Sequence, residues 1–316
     1  MAQVAADVVP QPPGSAAGSG RARHSLARRR NRSMLLLLLP AILVIVAFFA
    51  YPLGYGVYMS LVDFRTVTFI TGEAPFVGLD NYVEAFTSPL FARALTNTLL
   101  FTVTSIAIQM AGGLLLALYF VRDFPGHRWM STILLLPWLI PLVINSTTWK
   151  WMLQGDGIIN RMLATIGIDG PAWLAEPAIA LWPVTAVNTW AGLPFMATIL
   201  ASALRNVPPE LTEAALLDGA GYWRRLWSIT LPLIRPVMVV MTILGAIATL
   251  KVLDLVLVLT GGGPANATQT LALLSYRFSF GEFEFGLGAA YGNVLLMVTA
   301  VVAIVYTRLT RAEEAS

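Results

Sequence analysis

Long uncharged apolar runs alternate along the chain with short segments that hold nearly all of its charge. The first run extends from Met34 to about Val62 without one acidic or basic residue. About 20 apolar residues cross the hydrocarbon core of a bilayer as a helix. By that measure spans are predicted at 34–62, 95–121, 129–152, 178–204, 237–259 and 287–307. All six are expected to be helical, because a chain in lipid must satisfy its backbone hydrogen bonds internally. The predicted fold class is therefore all-α integral membrane, a six-helix domain over 34–311 between a tail at 1–33 and a tail at 312–316. Pro40, Pro52, Pro137, Pro141, Pro183 and Pro194 fall inside spans, where each removes a backbone hydrogen bond and invites a kink. Pro40 and Pro52 read as ordinary membrane-helix prolines. In the middle spans a kinked, cavity-lining helix is an equal alternative.

Composition strengthens the membrane reading. Of 316 residues 57% are hydrophobic and 12% charged, against about 25% charged in a soluble domain that must face water. Residues 1–20 are rich in Ala, Gly, Pro and Ser, and six arginines follow between Arg21 and Arg32, so 1–33 is predicted to be a disordered basic tail. Arginines before an apolar run can also mark a cleaved signal peptide. This run is too long for that, and Tyr51-Pro52-Leu53-Gly54 is a poor cleavage site, so a retained first helix is expected. With the N-terminus inside, the inner segments hold fourteen basic residues and the outer ones five: Arg65, Arg93, Lys150, Arg161 and Arg277. The positive-inside rule then places both termini in the cytoplasm of a multi-pass cell-membrane protein.

Several chemistries are excluded. There is no cysteine, and His24 and His127 are too few and too far apart to build a metal site, so no metal ligand and no catalytic residue is assigned. The two lysines, Lys150 after Trp149 and Lys251 after Leu250, do not fit the Gly-Lys-Ser/Thr of a phosphate-binding loop, and the chain is expected to bind no cofactor itself. Its basic residues flank apolar spans, which favours membrane lipid over nucleic acid as their partner.

The connection 205–236 carries the most information. Pro208-Pro209 stops the preceding span and opens a new helix, Glu210 and Glu213 favour the start of its dipole, and Gly219 and Gly221 end it. A second segment is predicted to run to Pro232, giving a helix–turn–helix of about 25 residues with a small face at Ala214 and Ala215. From the residues alone, a membrane-surface loop whose Arg224-Arg225 touches anionic headgroups is an alternative.

Glu213-Ala214-Ala215, three residues, Gly219, nine residues, Ile229, one residue, then Leu231-Pro232 resembles the EAA loop of ABC importer permeases. The resemblance covers roughly 34–310 and implies a type I ABC importer permease (MetI-like) architecture with a cytoplasmic coupling-helix loop. It implies coupling through Glu213, Ala214, Ala215, Asp218, Gly219 and Ala220 to a separate ATPase. The implied partners are a second homologous permease forming a heterodimer, two ATPase subunits holding ATP and Mg, and an extracytoplasmic solute-binding protein. Gly78-Leu79-Asp80-Asn81-Tyr82 and Thr260-Gly261-Gly262-Gly263-Pro264 resemble segments of the carbohydrate-uptake, maltose-type group, in a compact six-helix form.

A solute crossing the bilayer needs polar or aromatic groups within the spans. Resemblance to that group implies sugar contacts at Asn188, Gly192, Phe195 and Trp138; Phe195 stands in place of a tyrosine and Leu142 in place of a serine. These two differences argue against maltose itself but not against a sugar. For Asn188 and Asn145 an interhelical hydrogen bond is the alternative role. Lys251 and Asp254, three apart in the fifth span, are expected to share a face and either pair, line the pathway or snorkel to the headgroups. Gly112 and Gly113 read as close-packing positions. The expected function is the permease subunit of an ABC sugar importer, with a di- or oligosaccharide such as trehalose or a maltose-like sugar as cargo. Glycerol-3-phosphate, glycerophosphodiester and amino-sugar permeases remain alternatives, as does an autonomous secondary transporter. A membrane-embedded enzyme is disfavoured, because no cluster of catalytic groups lies at one depth.

Overall fold

The computed structural model describes residues 38–122 and 124–314; the predicted tail 1–33 with its arginines, and the last two residues of the chain, lie outside the described residues. Among the described residues every regular element is a helix, and β pairing is limited to two isolated bridges. Five helices are long and apolar enough to cross a membrane, and one sharply bent pair would make a sixth crossing. In chain order the helices that matter below are α1 (Leu38–Ser60), α2 (Pro89–Phe120), α3 (His127–Leu139), α4 (Leu142–Met152), α5 (Leu181–Arg205), α6 (Pro209–Leu217), α7 (Tyr222–Leu250), α8 (Asp254–Leu259) and α9 (Phe285–Glu314). The chain divides into two compact units, residues 1–55 and 56–316.

Pro137, Pro194 and Pro236 stay inside continuous helices, and the other prolines described have three different outcomes, each with a local cause. Pro141 breaks the predicted third span: α3 and α4 meet at 94°. A proline pushes the residue before it out of the helical region, and Ile140 is extended, with ψ 128°. Pro183 is the third residue of α5, where a helix has no internal acceptor to offer an N–H, so nothing is lost. Pro52 and Pro232 are absorbed. Each lies two residues beyond a π-helical turn, Val46–Ala50 in α1 and Leu226–Thr230 in α7. A proline ring clashes with the carbonyl four residues back, and a widened turn moves that carbonyl aside. The fifth span is therefore not 237–259 as predicted. It starts inside the loop at Tyr222, passes Pro232 and Pro236, and stops at Leu250. The sixth helix likewise continues beyond 307, to Glu314, into the predicted C-terminal tail.

The centre of the second unit is the contact between α2 and α5. The buried face of α2 includes Ala94, Thr98, Thr102, Ser105, Gln109, Gly113 and Ala117, spaced by three and four residues as one side of a helix requires. Most of these side chains are small, so the two backbones approach closely. A Cβ on Gly113 would lie 2.7 Å from Met196 Cγ and 3.3 Å from the Ala197 nitrogen, and one on Gly112 would lie 2.7 Å from Leu193 Cδ1. In lipid such packing, rather than apolar burial, holds helices together.

Polar side chains fix the connections. Asn81 Nδ2 donates to the carbonyls of Ser60 (2.9 Å) and Val62 (3.1 Å), closing the end of α1. Asn293 Nδ2 on α9 donates to Ser60 Oγ and Tyr82 Oη, both at 3.0 Å. The 265–269 stretch that follows the Thr260–Pro264 segment is pinned to the N-terminal part of α2. There Asn97 Nδ2 donates to the carbonyls of Ala267 and Gln269 at 3.0 Å, and Arg93 donates to that of Ala265 at 2.9 Å. Gly113→Ala is expected to destabilise the protein by about 1–3 kcal/mol through overpacking. The readout is a lowered thermal midpoint in detergent; Gly155→Ala, with open space around it, should leave the midpoint unchanged.

Candidate functional site

Where α3 and α4 part, a cavity of about 560 Å³ opens against α2, α5 and α7. That is the size of an ordinary small-molecule site. Its walls are Gln109 of α2, the 137–142 break, the 188–196 stretch of α5, and the 241–249 stretch of α7, with Val252 just beyond its end. No charged side chain lines it among the described residues.

Four of the predicted pathway residues meet here: Trp138, Asn188, Gly192 and Phe195. The Trp138 and Phe195 rings stack with centroids 5.2 Å apart and planes 11° apart, forming an aromatic wall across the α3–α5 contact. Asn188 is only 7% exposed, yet its Nδ2 has no hydrogen-bond partner. Its main-chain carbonyl accepts a 3.1 Å hydrogen bond from Gln109 Nε2. Gly192 makes room for that bond, because a Cβ there would come within 2.9 Å of all three outer atoms of the Gln109 carboxamide.

The remaining pathway candidates lie elsewhere. Asn145 is buried in α4 with an unpartnered Nδ2, but it is not in the cavity wall. Lys251 and Asp254 do not share a helix face, contrary to expectation. Lys251 caps the end of α7, and Asp254 sits in the first turn of α8, where a carboxylate suits the positive helix end. No ion pair joins them among the described residues, both are exposed, and Val252 between them faces the cavity instead. It is Lys150 that has a specific contact, donating at 2.9 Å to the carbonyl of Val258 near the end of α8. Gln109 escaped the sequence reading. Its signal was the row Thr98, Thr102, Ser105, Gln109, a polar stripe at helical spacing inside an apolar span.

On the loop, α6 opens with Pro209 at its first turn and Glu210 beside it. It closes in a Schellman turn: Gly219, at φ +74°, donates to the Leu216 carbonyl (3.0 Å), and Ala220 donates to that of Ala215 (2.8 Å). This accounts for the fixed spacing from Ala215 to Gly219, since the first carbonyl and the left-handed residue belong to one hydrogen-bonded unit. Ala215 is buried, Ala220 half-buried, and Glu213, Ala214, Asp218 and Gly219 are exposed. Beyond the turn the chain enters α7 directly, so the predicted helix–turn–helix has the fifth span as its second arm.

Apolar spanning helices around an uncharged cavity, with a short exposed helix leading straight into one of them, define a membrane transport component. The chain belongs to the family of binding-protein-dependent transport system inner membrane components, whose pattern matches residues 109–314, and is a multi-pass permease of an ATP-binding-cassette (ABC) importer. It is 35% identical over 273 residues to the trehalose/maltose transport system permease protein MalF of Thermococcus litoralis, covering 86% of this chain and 91% of that one. It is 33% identical to the trehalose transport system permease protein SugA of Mycobacterium tuberculosis, covering 85% and 86%. Among solved structures it resembles a chain of a bacterial ABC transporter involved in import of the acidic polysaccharide alginate. There the TM-score is 0.77 at 25% identity, over 92% of this chain and 99% of that one.

Gly219→Ala is expected to cost about 1–2 kcal/mol, the penalty of a left-handed conformation with a Cβ. Faster amide exchange at Gly219 and Ala220 would report it. Gly221→Ala, at φ −66° with open space, should not change exchange.

Proposed function

We propose that this chain is one permease of a sugar importer and carries a neutral di- or oligosaccharide. The observation that carries the reading is the cavity: two buried carboxamides and a stacked aromatic pair, with no charge among the described residues that line it. Sugars offer hydroxyls to carboxamides and apolar faces to aromatic rings, and need no counter-ion. The named cargoes of the relatives from Thermococcus and Mycobacterium support the same class. A glycerophosphodiester or glycerol-3-phosphate would call for a cation at the phosphate, and the cavity wall offers none.

In this reading Asn188, Gln109, Gly192, Trp138 and Phe195 form the pathway. The loop faces the cytoplasm, as both termini do. It docks on a partner ATPase through the exposed Glu213, Ala214 and Asp218, while Ala215, Gly219 and Ala220 shape the helix end. Leu216, Leu217 and Trp223 are also exposed on this loop, with Leu217 90% accessible, and a protein partner would cover them. ATP and Mg belong to two such ATPase subunits. A second homologous permease completes the channel, and an external binding protein delivers the sugar.

Two experiments test this. The purified chain alone should hydrolyse no ATP, while the reconstituted complex with its binding protein should show ATP-dependent uptake of a neutral disaccharide such as trehalose. Uptake that neutral disaccharides fail to compete and glycerophosphodiesters do would sink the reading. Ala214→Trp should lose coupled uptake while the subunit still inserts, and Phe195→Ala should lower kcat/KM for uptake about tenfold by removing half of the stacked pair.

A further inference from the structure

Arg122 and Arg225 have no part in the roles described so far, yet the fold brings them to one pocket. Where α2 and α5 end and α7 begins, a cavity of about 250 Å³ opens beside the loop helix α6. Part of its wall is aliphatic, with Leu118, Val121, Leu204 and Leu226. The rest carries Arg122, Arg225, Tyr222 and Thr212 of α6. The Arg122 guanidinium lies over the Tyr222 ring, 5.7 Å from its centroid. Arg225 follows Tyr222 by three residues within α7 and so shares its face. No carboxylate lines the pocket among the described residues.

Arg225 is half-buried, and its Nε is enclosed without a hydrogen-bond partner. Its terminal nitrogens have no acceptor among the described residues either, and no ion pair reaches Arg122 or Arg225 there. Like charges set close together, one of them partly withdrawn from water, cost free energy until an anion joins them.

The wall indicates which anion. A free phosphate, or a carboxylate of another protein, would use the arginines and leave the aliphatic side bare. A phospholipid uses both: its phosphate accepts from guanidinium and hydroxyl groups, while its glycerol and first methylenes cover the leucines. The depth fits as well. Leu118 and Leu204 belong to spanning helices, and Arg122 and Val207 lie just beyond their ends, so the pocket straddles the boundary between hydrocarbon and headgroups. The neighbouring Tyr119 and Trp227 are exposed, as aromatic residues at such a boundary are.

We propose that Arg122 and Arg225 form a site for an anionic phospholipid such as phosphatidylglycerol, which links α6, through Thr212, to the ends of α2 and α5. A headgroup with its own ammonium is repelled by the two guanidiniums, so the site prefers a lipid without one. The inference goes beyond the import reading and uses it only to name the leaflet, the cytoplasmic one. Lipid bound there steadies the loop from the membrane side.

The test uses the assembled transporter, both permeases with their ATPase subunits, purified in detergent and weighed intact by native mass spectrometry. Phosphatidylglycerol, phosphatidylcholine and inorganic phosphate are the probes. The wild type should hold phosphatidylglycerol at least about tenfold more tightly than phosphatidylcholine. Arg122→Gln and Arg225→Gln should each weaken that binding about fivefold, and the double variant about twenty-five-fold, the factor expected for each basic residue at a lipid surface. Arg224→Gln removes an exposed arginine outside the pocket and should change nothing. Arg122→Gln carries the test alone should Arg225→Gln not assemble, because Arg122 is exposed.

Equal affinity of the wild type for the two lipids, or a loss in Arg224→Gln that matches the pocket variants, would overturn the site. So would displacement of the lipid by inorganic phosphate, which would make the pocket a site for a free anion. Pocket variants that shed the ATPase subunits with lipid binding unchanged would assign the arginines to that partner and overturn the proposal too. Transport plays no part in these readouts, so a failure of the sugar reading would leave the lipid result standing.

Discussion

The close approach of α2 to α5 is the contact on which the rest of the second unit depends. Lipid is as apolar as leucine, so two spanning helices gain little by hiding apolar side chains from it and must instead fit each other. Gly112 and Gly113 let Leu193 and Met196 lie almost on the α2 backbone. One turn further along, Gly192 returns the favour by admitting the Gln109 carboxamide. The third partner, α7, joins by the same device: a Cβ on Gly245 would stand 2.8 Å from Ile106 Cδ1. Two apolar clusters then form on α5, one around Val184 and Val187 with Phe101 and Leu255, the other around Leu200 and Leu204 with Ala117 and Ile234. The cavity stretch from Asn188 to Met196 lies between them, so the polar site is framed by packed apolar layers above and below.

Much of this architecture was legible because hydropathy reports the solvent. A run of about 20 apolar residues in a chain this poor in charge has few other homes than a bilayer. The loop helix α6 was legible for a different reason, since a glycine four residues beyond a buried alanine is the trace of a Schellman turn. Proline was the poor guide. Pro141 looked like a kink within a span and Pro232 like the end of a segment, yet the first breaks its span and the second is carried through. What separates them is whether the preceding turn can widen: Leu226–Thr230 does, while Ile140 goes extended. That choice belongs to the packing around each turn and leaves no mark in the residue pattern.

The site was half legible. Asn188 stood out as an uncommon polar residue within an apolar run, and Trp138 only through the resemblance to the carbohydrate-uptake permeases. Lys251 and Asp254 stood out too and misled, because a three-residue spacing places side chains on one face only while the helix continues, and α7 ends at Leu250. Gln109 was hidden in the most regular span of all. Its importance comes from what it touches on another helix, a relation that a one-dimensional reading carries only as a faint polar periodicity.

The absence of a break at Pro232 has a mechanical consequence. Because the loop's second arm and the fifth span are one helix of 29 residues, the segment from Tyr222 to Leu250 is a strut about 43 Å long. Tyr222 follows the α6 turn by three residues, and Thr249 at the far end lines the cavity. A tilt of about 5° pivoted at one end carries the other through about 4 Å on an arm of that length. A rotation at the loop too small to disturb its own hydrogen bonds is thus magnified, at the cavity wall, to the width of a sugar hydroxyl and its contact. The strut needs no relay of intermediate residues, only stiffness, and the widened turn at its base is the place where that stiffness can be tuned.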